Sequence, residues 1–131
     1  MAIEERRVGA AQSRADQALS VTTDLPAGAV LPVRVTGEVD LATAPRLQAA
    51  LQAAVGAATP PMEIAVDLAG VTFIDAVGIG VLIAGRNAAR AAGVGFSVRS
   101  PQPLVVRMID VLGLAGTLRV APAPPVLQAG D

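Results

Sequence analysis

The chain has no cysteine, histidine, lysine, tryptophan or tyrosine among its 131 residues. Without cysteine there are no disulfides and no thiolate chemistry. Without cysteine and histidine there is no Cys/His zinc site, and every triad that needs a histidine base is excluded. Without lysine, a phosphate loop of the GxxxxGK[ST] kind cannot be completed. Aromatic residues make up only 2%, so almost nothing is available to stack nucleobases. The ten basic residues are all Arg and stand against eleven acids, for a net charge of −1. No basic excess marks a nucleic-acid surface. Long apolar runs are missing as well. The longest uncharged one, Ala76 to Gly85, falls well short of the ~20 residues of a membrane span. Glu4, Glu5, Arg6 and Arg7 stand where the apolar part of a signal peptide would begin. These absences predict a soluble cytoplasmic protein with no nucleic-acid partner, no membrane span, no metal and no cofactor.

What is present is aliphatic. Hydrophobic residues reach 53%, so the core must be built from Val, Leu, Ile and Ala. The length fits one domain with one core. Residues 1–16 are polar and patternless, and residues 121–131 are rich in proline; both read as flexible tails. That leaves 17–120 as the folded domain.

Its periodicities change along the chain. Leu19 to Thr23 reads as a strand, and Asp24 to Ala29, with Pro26 and Gly28, as a turn. From Leu31 to Val39, Val33, Val35, Gly37 and Val39 alternate with Arg34, Thr36 and Glu38. That is a half-buried strand, paired with the first as a hairpin. Thr43 is placed to cap a helix with Pro45 in its first turn. Leu47, Ala50, Leu51 and Ala54 form its apolar face, and Gly56 and Pro60–Pro61 end it. Ile64, Val66 and Leu68 mark a further strand. A helix follows Asp75 through Ala92, with Ile79, Leu82, Ile83, Ala89 and the stem of Arg86 inward. Val94, Phe96 and Val98 give a short strand after Gly93. A third helix starts at Pro101, with Leu104, Met108, Val111 and Leu112 recurring, and stops at Gly113. Thr117 to Val120 is a last edge strand. The order β-β-α-β-α-β-α-β predicts an α/β fold, a mixed sheet packed with three to four helices.

The segment FIDAVGIGV, 73–81, carries two glycines and an acid at a strand-to-helix change. A dinucleotide loop needs GxGxxG, but Ile83 stands where the third glycine belongs. A nucleophile elbow needs GxSxG, and no hydroxyl is present. Asp67, Glu38 and Asp40 have plain readings as solvated acids at strand ends, so no catalytic pair emerges. The anion preference of helix N-termini leaves weak phosphate or nucleotide binding open. Val77, Val81, Ala84 and Ala88 recur on a second side of this helix, away from Ile79 and Leu82. A helix apolar on two sides is either sandwiched in a core or shows one side to a partner. Gly78, Gly80 and Gly85 lower helix propensity by about 1 kcal/mol each; close packing of helix on sheet is a sufficient reason to keep them.

VTGEVDLATAPRL (35–47), VDLAGVTFIDAVGIGVLIAGRNAAR (66–90) and PQPLVVRMIDVLGL (101–114) together resemble STAS domains, in particular bacterial anti-sigma factor antagonists. The resemblance covers about residues 17–120. It implies a non-enzymatic regulator of transcription that works by partner switching. An unphosphorylated antagonist binds an anti-sigma factor, often a serine-kinase-like ATPase, and so frees a sigma factor. Phosphorylation of a Ser or Thr just after the motif aspartate releases it. The contact surface implied here comprises Asp75, Ala76, Val77, Gly78, Gly80 and Val81, with Glu38, Asp40 and Thr43. One departure stands out. The phosphorylated hydroxyl falls on Ala76, and Val77 follows, so neither can accept phosphate. The helix cap is lost with that hydroxyl, typically worth about 1 kcal/mol, and Asp75 is the residue placed to replace it. The alternative is a STAS module that senses a nucleotide or lipid, or that scaffolds a signalling complex.

Overall fold

The computed structural model describes residues 18–122. The tail expected over 1–16 and nearly all of that expected from 121 onward lie outside these residues. The described chain forms β1 (Leu19–Thr23), β2 (Val30–Val39), α1 (Ala44–Ala57), β3 (Glu63–Ile74), α2 (Ala76–Ala91), β4 (Gly95–Arg99), α3 (Pro103–Val111) and β5 (Val120–Ala121). The order is the one the periodicities predict. The five strands lie side by side in chain order. β1 runs antiparallel to β2, and β2 to β5 are mutually parallel.

The two faces of the sheet differ because successive side chains point to opposite sides. Leu31, Ile64 and Phe96 form one cross-strand row, and Val33, Val66 and Val98 the next. All six are buried. Leu47, Leu51 and Ala54 of α1, and Ile79, Leu82 and Ala89 of α2, join them in one core. Residues one position on build the other face: Pro32, Ala65 and Ser97, then Arg34, Asp67 and Arg99. There Arg34 pairs with Asp24 at 2.8 Å and Arg99 with Glu63 at 2.9 Å. Both arginines are largely exposed, so each pair contributes little stability.

β3 is longer than its alternation reveals. Its buried positions step by two through Ile64, Val66 and Leu68, then by three to Val71 and again to Ile74. The register with β2 shifts at the same places, between Arg34 and Thr36 and between Gly37 and Glu38. Each shift inserts one extra residue in β3, a bulge that turns the following side chains over. The strand therefore runs twelve residues and delivers the chain directly into α2.

Two sequence expectations about the other helices change. Thr43 is the residue before α1, but its side chain makes no cap hydrogen bond. The third helix starts at Pro103, not Pro101, and buries Val105 and Ile109. Leu104 and Val111, of the recurring set in the sequence, are 71% and 78% exposed. The nine-residue helix has apolar side chains on two sides, so spacing alone does not say which is inner. Gln102 decides the placement in part: its side-chain amide donates to the Ala69 carbonyl at 2.8 Å. β4 pairs with β3 only as far as Asp67, and α3 packs against β3 where β4 has stopped. The last strand is shorter than expected, Val120–Ala121 rather than Thr117 to Val120.

Candidate partner-binding site

The carboxyl ends of β2 and β3 bring the two predicted segments together. Val39 and Ile74 are register partners, and the Asp75 amide donates to the Val39 carbonyl at 3.1 Å. α2 therefore begins beside the loop that follows β2. Gly78 sets how closely it sits. A Cβ there would lie 2.6 Å from Cγ1 of both Ile74 and Val39, so only glycine lets the helix start this low on the sheet.

Asp75 replaces the missing hydroxyl cap. Its backbone is extended, and its carboxylate accepts from the Gly78 amide at 3.0 Å. That satisfies one of the first-turn amides that a helix leaves unpaired. It also opposes the phosphate binding that a bare N-terminus would favour, because a negative charge already occupies that end.

The loop before α1 is organised in the same economical way. Asp40 is not a merely solvated acid. Its Oδ1 accepts from the amides of Ala42 at 3.0 Å and Thr43 at 3.1 Å. Thr43, 2% exposed, donates its hydroxyl to the Glu38 carbonyl at 2.8 Å and accepts from the Asp40 amide at 3.0 Å. Asp40 and Thr43 thus shape the loop. Glu38 is exposed and so is Leu41, which the sequence reading passed over. A leucine directly after a loop-forming aspartate was the available signal.

On α2, Ala76, Val77 and Gly80 are exposed, with Val77 at 42%. Val81 is not on the open side. It packs partly buried against the core, and it lines the seam with α1 beside Gln48 and Leu51, together with Ala84 and Ala88. Within the second apolar stripe, Val81 is thus drawn into the helix–helix seam, whereas Val77, Ala84 and Ala88 remain exposed. Gly85 belongs to that seam as well, since a Cβ there would approach Leu51 Cδ1 to 2.9 Å. Gly80 differs from both: nothing lies within 4 Å of a Cβ built on it. Packing does not explain this glycine, and its exposed position leaves the helix surface flat next to Ala76 and Val77.

A second apolar surface adjoins this one. A groove of about 420 Å³ runs between the end of β3 and α3, lined by Phe73, Ile74, Leu104, Met108 and Val111 among others. Ile74 forms part of its wall and also lies beneath Gly78. Phe73 is 48% exposed.

Such a mixed sheet, with a helix entering from the centre strand, is that of STAS domains. A family profile described as "Mlab, STAS domain" matches residues 26–122. An anti-sigma factor antagonist from Mycobacterium paratuberculosis is 32% identical, with a TM-score of 0.68 over 83% of this chain and 87% of that one. The chain belongs to the STAS domain family. The antagonist SpoIIAA in its unphosphorylated form is 21% identical, with a TM-score of 0.64 over 81% of this chain and 90% of its own. A murine solute carrier anion transporter, Slc26a9, matches at 16% identity and a TM-score of 0.66, over 81% of this chain but 21% of the transporter. The last two show the shared fold alone. No curated protein matches the sequence. No helix among the described residues is long and apolar enough to cross a membrane.

Proposed function

We propose that the chain is a non-enzymatic partner-switching regulator of the anti-sigma factor antagonist kind, with a contact surface that phosphorylation at the usual position does not reach. The observation that carries this is the start of α2. Ala76 is its first residue, exposed and without a hydroxyl, and Asp75 supplies the cap. The likeness to the mycobacterial antagonist supports the class of partner, an anti-sigma factor or serine-kinase-like ATPase. The surface presented to it comprises Leu41 and Glu38 from the loop end of β2, and Ala76, Val77 and Gly80 from α2. Asp40, Thr43, Asp75 and Gly78 hold those residues in place. An apolar, flat helix start suits a partner that approaches closely, and Gly80 contributes by having no side chain. The protein acts in the cytoplasm, on transcription, and stays in its binding-competent form.

The test uses a cognate kinase with ATP and mass spectrometry. Residues 75–81 of the wild type remain unmodified, while Ala76→Ser takes up phosphate and releases the partner. Thr72 is the nearest hydroxyl before Asp75, and it is exposed, donating to the Gly37 carbonyl at 3.3 Å. Phosphate on Thr72 with loss of binding would overturn the proposal.

A further inference from the structure

The other end of α2 has a different chemistry. Arg86 and Arg90, from its last turns, and Arg119, from just before β5, surround a depression of about 450 Å³ together with Gly93, Gly95 and Thr117. No aspartate or glutamate lines it. The whole chain carries a net charge of −1, so three arginines lining one concavity are a local excess of positive charge, offset in part by Glu63 beside Arg119.

Their donors are largely unused. Arg86 donates to the neighbouring Asn87 side chain at 3.1 Å. Arg119 reaches Glu63 Oε1 at 3.4 Å, a long contact to a carboxylate that already accepts from Ser97 and Arg99. The side chains of Arg90 and Thr117 have no protein partner among the described residues. Arg119 also has a φ of 53°, the left-handed region that a residue with a Cβ rarely enters. Such a conformation persists only where the surroundings impose it, and it is concentrated at binding sites.

We propose that this depression is a binding site for a phosphate-bearing small molecule, held by Arg86, Arg90 and Arg119 with the Thr117 hydroxyl. Each guanidinium presents a planar fork of N–H donors that matches the spacing of phosphate oxygens. An anion between three like charges also removes their mutual repulsion. Phe96 lies at the floor but is only 4% exposed, so it offers no face on which to stack a base. Recognition therefore rests on the phosphate, and a pyrophosphate or terminal phosphomonoester supplies all that the site can read. The site stands apart from the antagonist surface and does not depend on that reading. α2 is sixteen residues long, which separates its ends by about 24 Å.

The test is calorimetric titration of the full chain with inorganic pyrophosphate, alongside flotation with vesicles containing phosphatidic acid. Binding in the first arm assigns a soluble phosphate compound, and binding in the second alone assigns a lipid headgroup. In either arm Arg90→Gln and Arg119→Gln are each expected to weaken binding by about tenfold. Arg107→Gln, on α3 and outside the depression, leaves it unchanged. Arg90 has no protein partner to lose, so circular dichroism of Arg90→Gln should match the wild type. Absence of binding in both arms overturns the site. So does binding that survives in the Arg90→Gln/Arg119→Gln double variant, or that Arg107→Gln weakens equally.

Discussion

The two ends of α2 contrast in what they leave unsatisfied. At the N-terminal end nearly every polar group is used internally. Asp75 caps the helix, Asp40 and Thr43 fold the loop, and what faces outward is alanine, valine, glycine and leucine, with Glu38 the exposed acid beside them. At the C-terminal end the apolar groups are buried and the guanidiniums are left with open donors. A surface with most of its hydrogen bonds already made offers mainly shape and apolar area, which suits a protein partner. A concave surface with unused donors offers charge, which suits a small anion. On the two proposals, one helix would serve two kinds of recognition, through which groups are satisfied at each end.

The sharpest way to break this contrast is to put a charge on the apolar end. Val77→Glu should weaken partner binding by about 2–5 kcal/mol, the cost of an unpaired charge buried in an interface. Stability should hardly change, because Val77 is 42% exposed and a carboxylate in a first helical turn is favourable. Titration calorimetry and thermal melts separate the two. A variant that melts early and still binds would place Val77 in the core instead. Val81 is unsuited to this test, since its half-buried side chain borders α1.

The next largest effect distinguishes the two glycines of the helix start. Gly78→Ala should cost about 1–3 kcal/mol of stability, by overpacking against Ile74 and Val39. Gly80→Ala should instead add up to about 1 kcal/mol, because its Cβ enters open space and alanine is the better helix former. Denaturant melts of the pair check both signs. Equal destabilisation by the two would mean that Gly80 also serves packing.

The sequence carried the element order because most elements have one apolar face. β2 alternates without interruption, and α1 has a single stripe through Leu47, Leu51 and Ala54. Legibility failed where a pattern was broken or doubled. The bulges in β3 shifted the phase after Leu68, so regular alternation marks only the first part of the strand. α3 has two apolar sides, and the outer one, Leu104 and Val111, was the more regular in spacing. At the site, the Asp75 cap was readable from local chemistry alone. The loop-folding roles of Asp40 and Thr43 were not, because Ser, Thr and Asp before a helix look alike whether they cap it or bond elsewhere. The arginine depression was invisible, since Arg119 meets Arg86 and Arg90 only through the pairing of β4 with β5 and the turn before it.

The measurement closest to the central claim places a charge at Ala76 itself. Wild type and Ala76→Glu are titrated calorimetrically with the proposed partner, a purified anti-sigma factor, and their melting temperatures are compared. At the start of a helix the added carboxylate should leave the melting temperature nearly unchanged. At a protein interface it must be desolvated, as the phosphate of a switched-off antagonist would be, and affinity should fall roughly five- to tenfold. A stable Ala76→Glu that binds five- to tenfold more weakly is the expected result. Equal affinities for the two proteins would contradict the assignment of this surface as the partner-binding site.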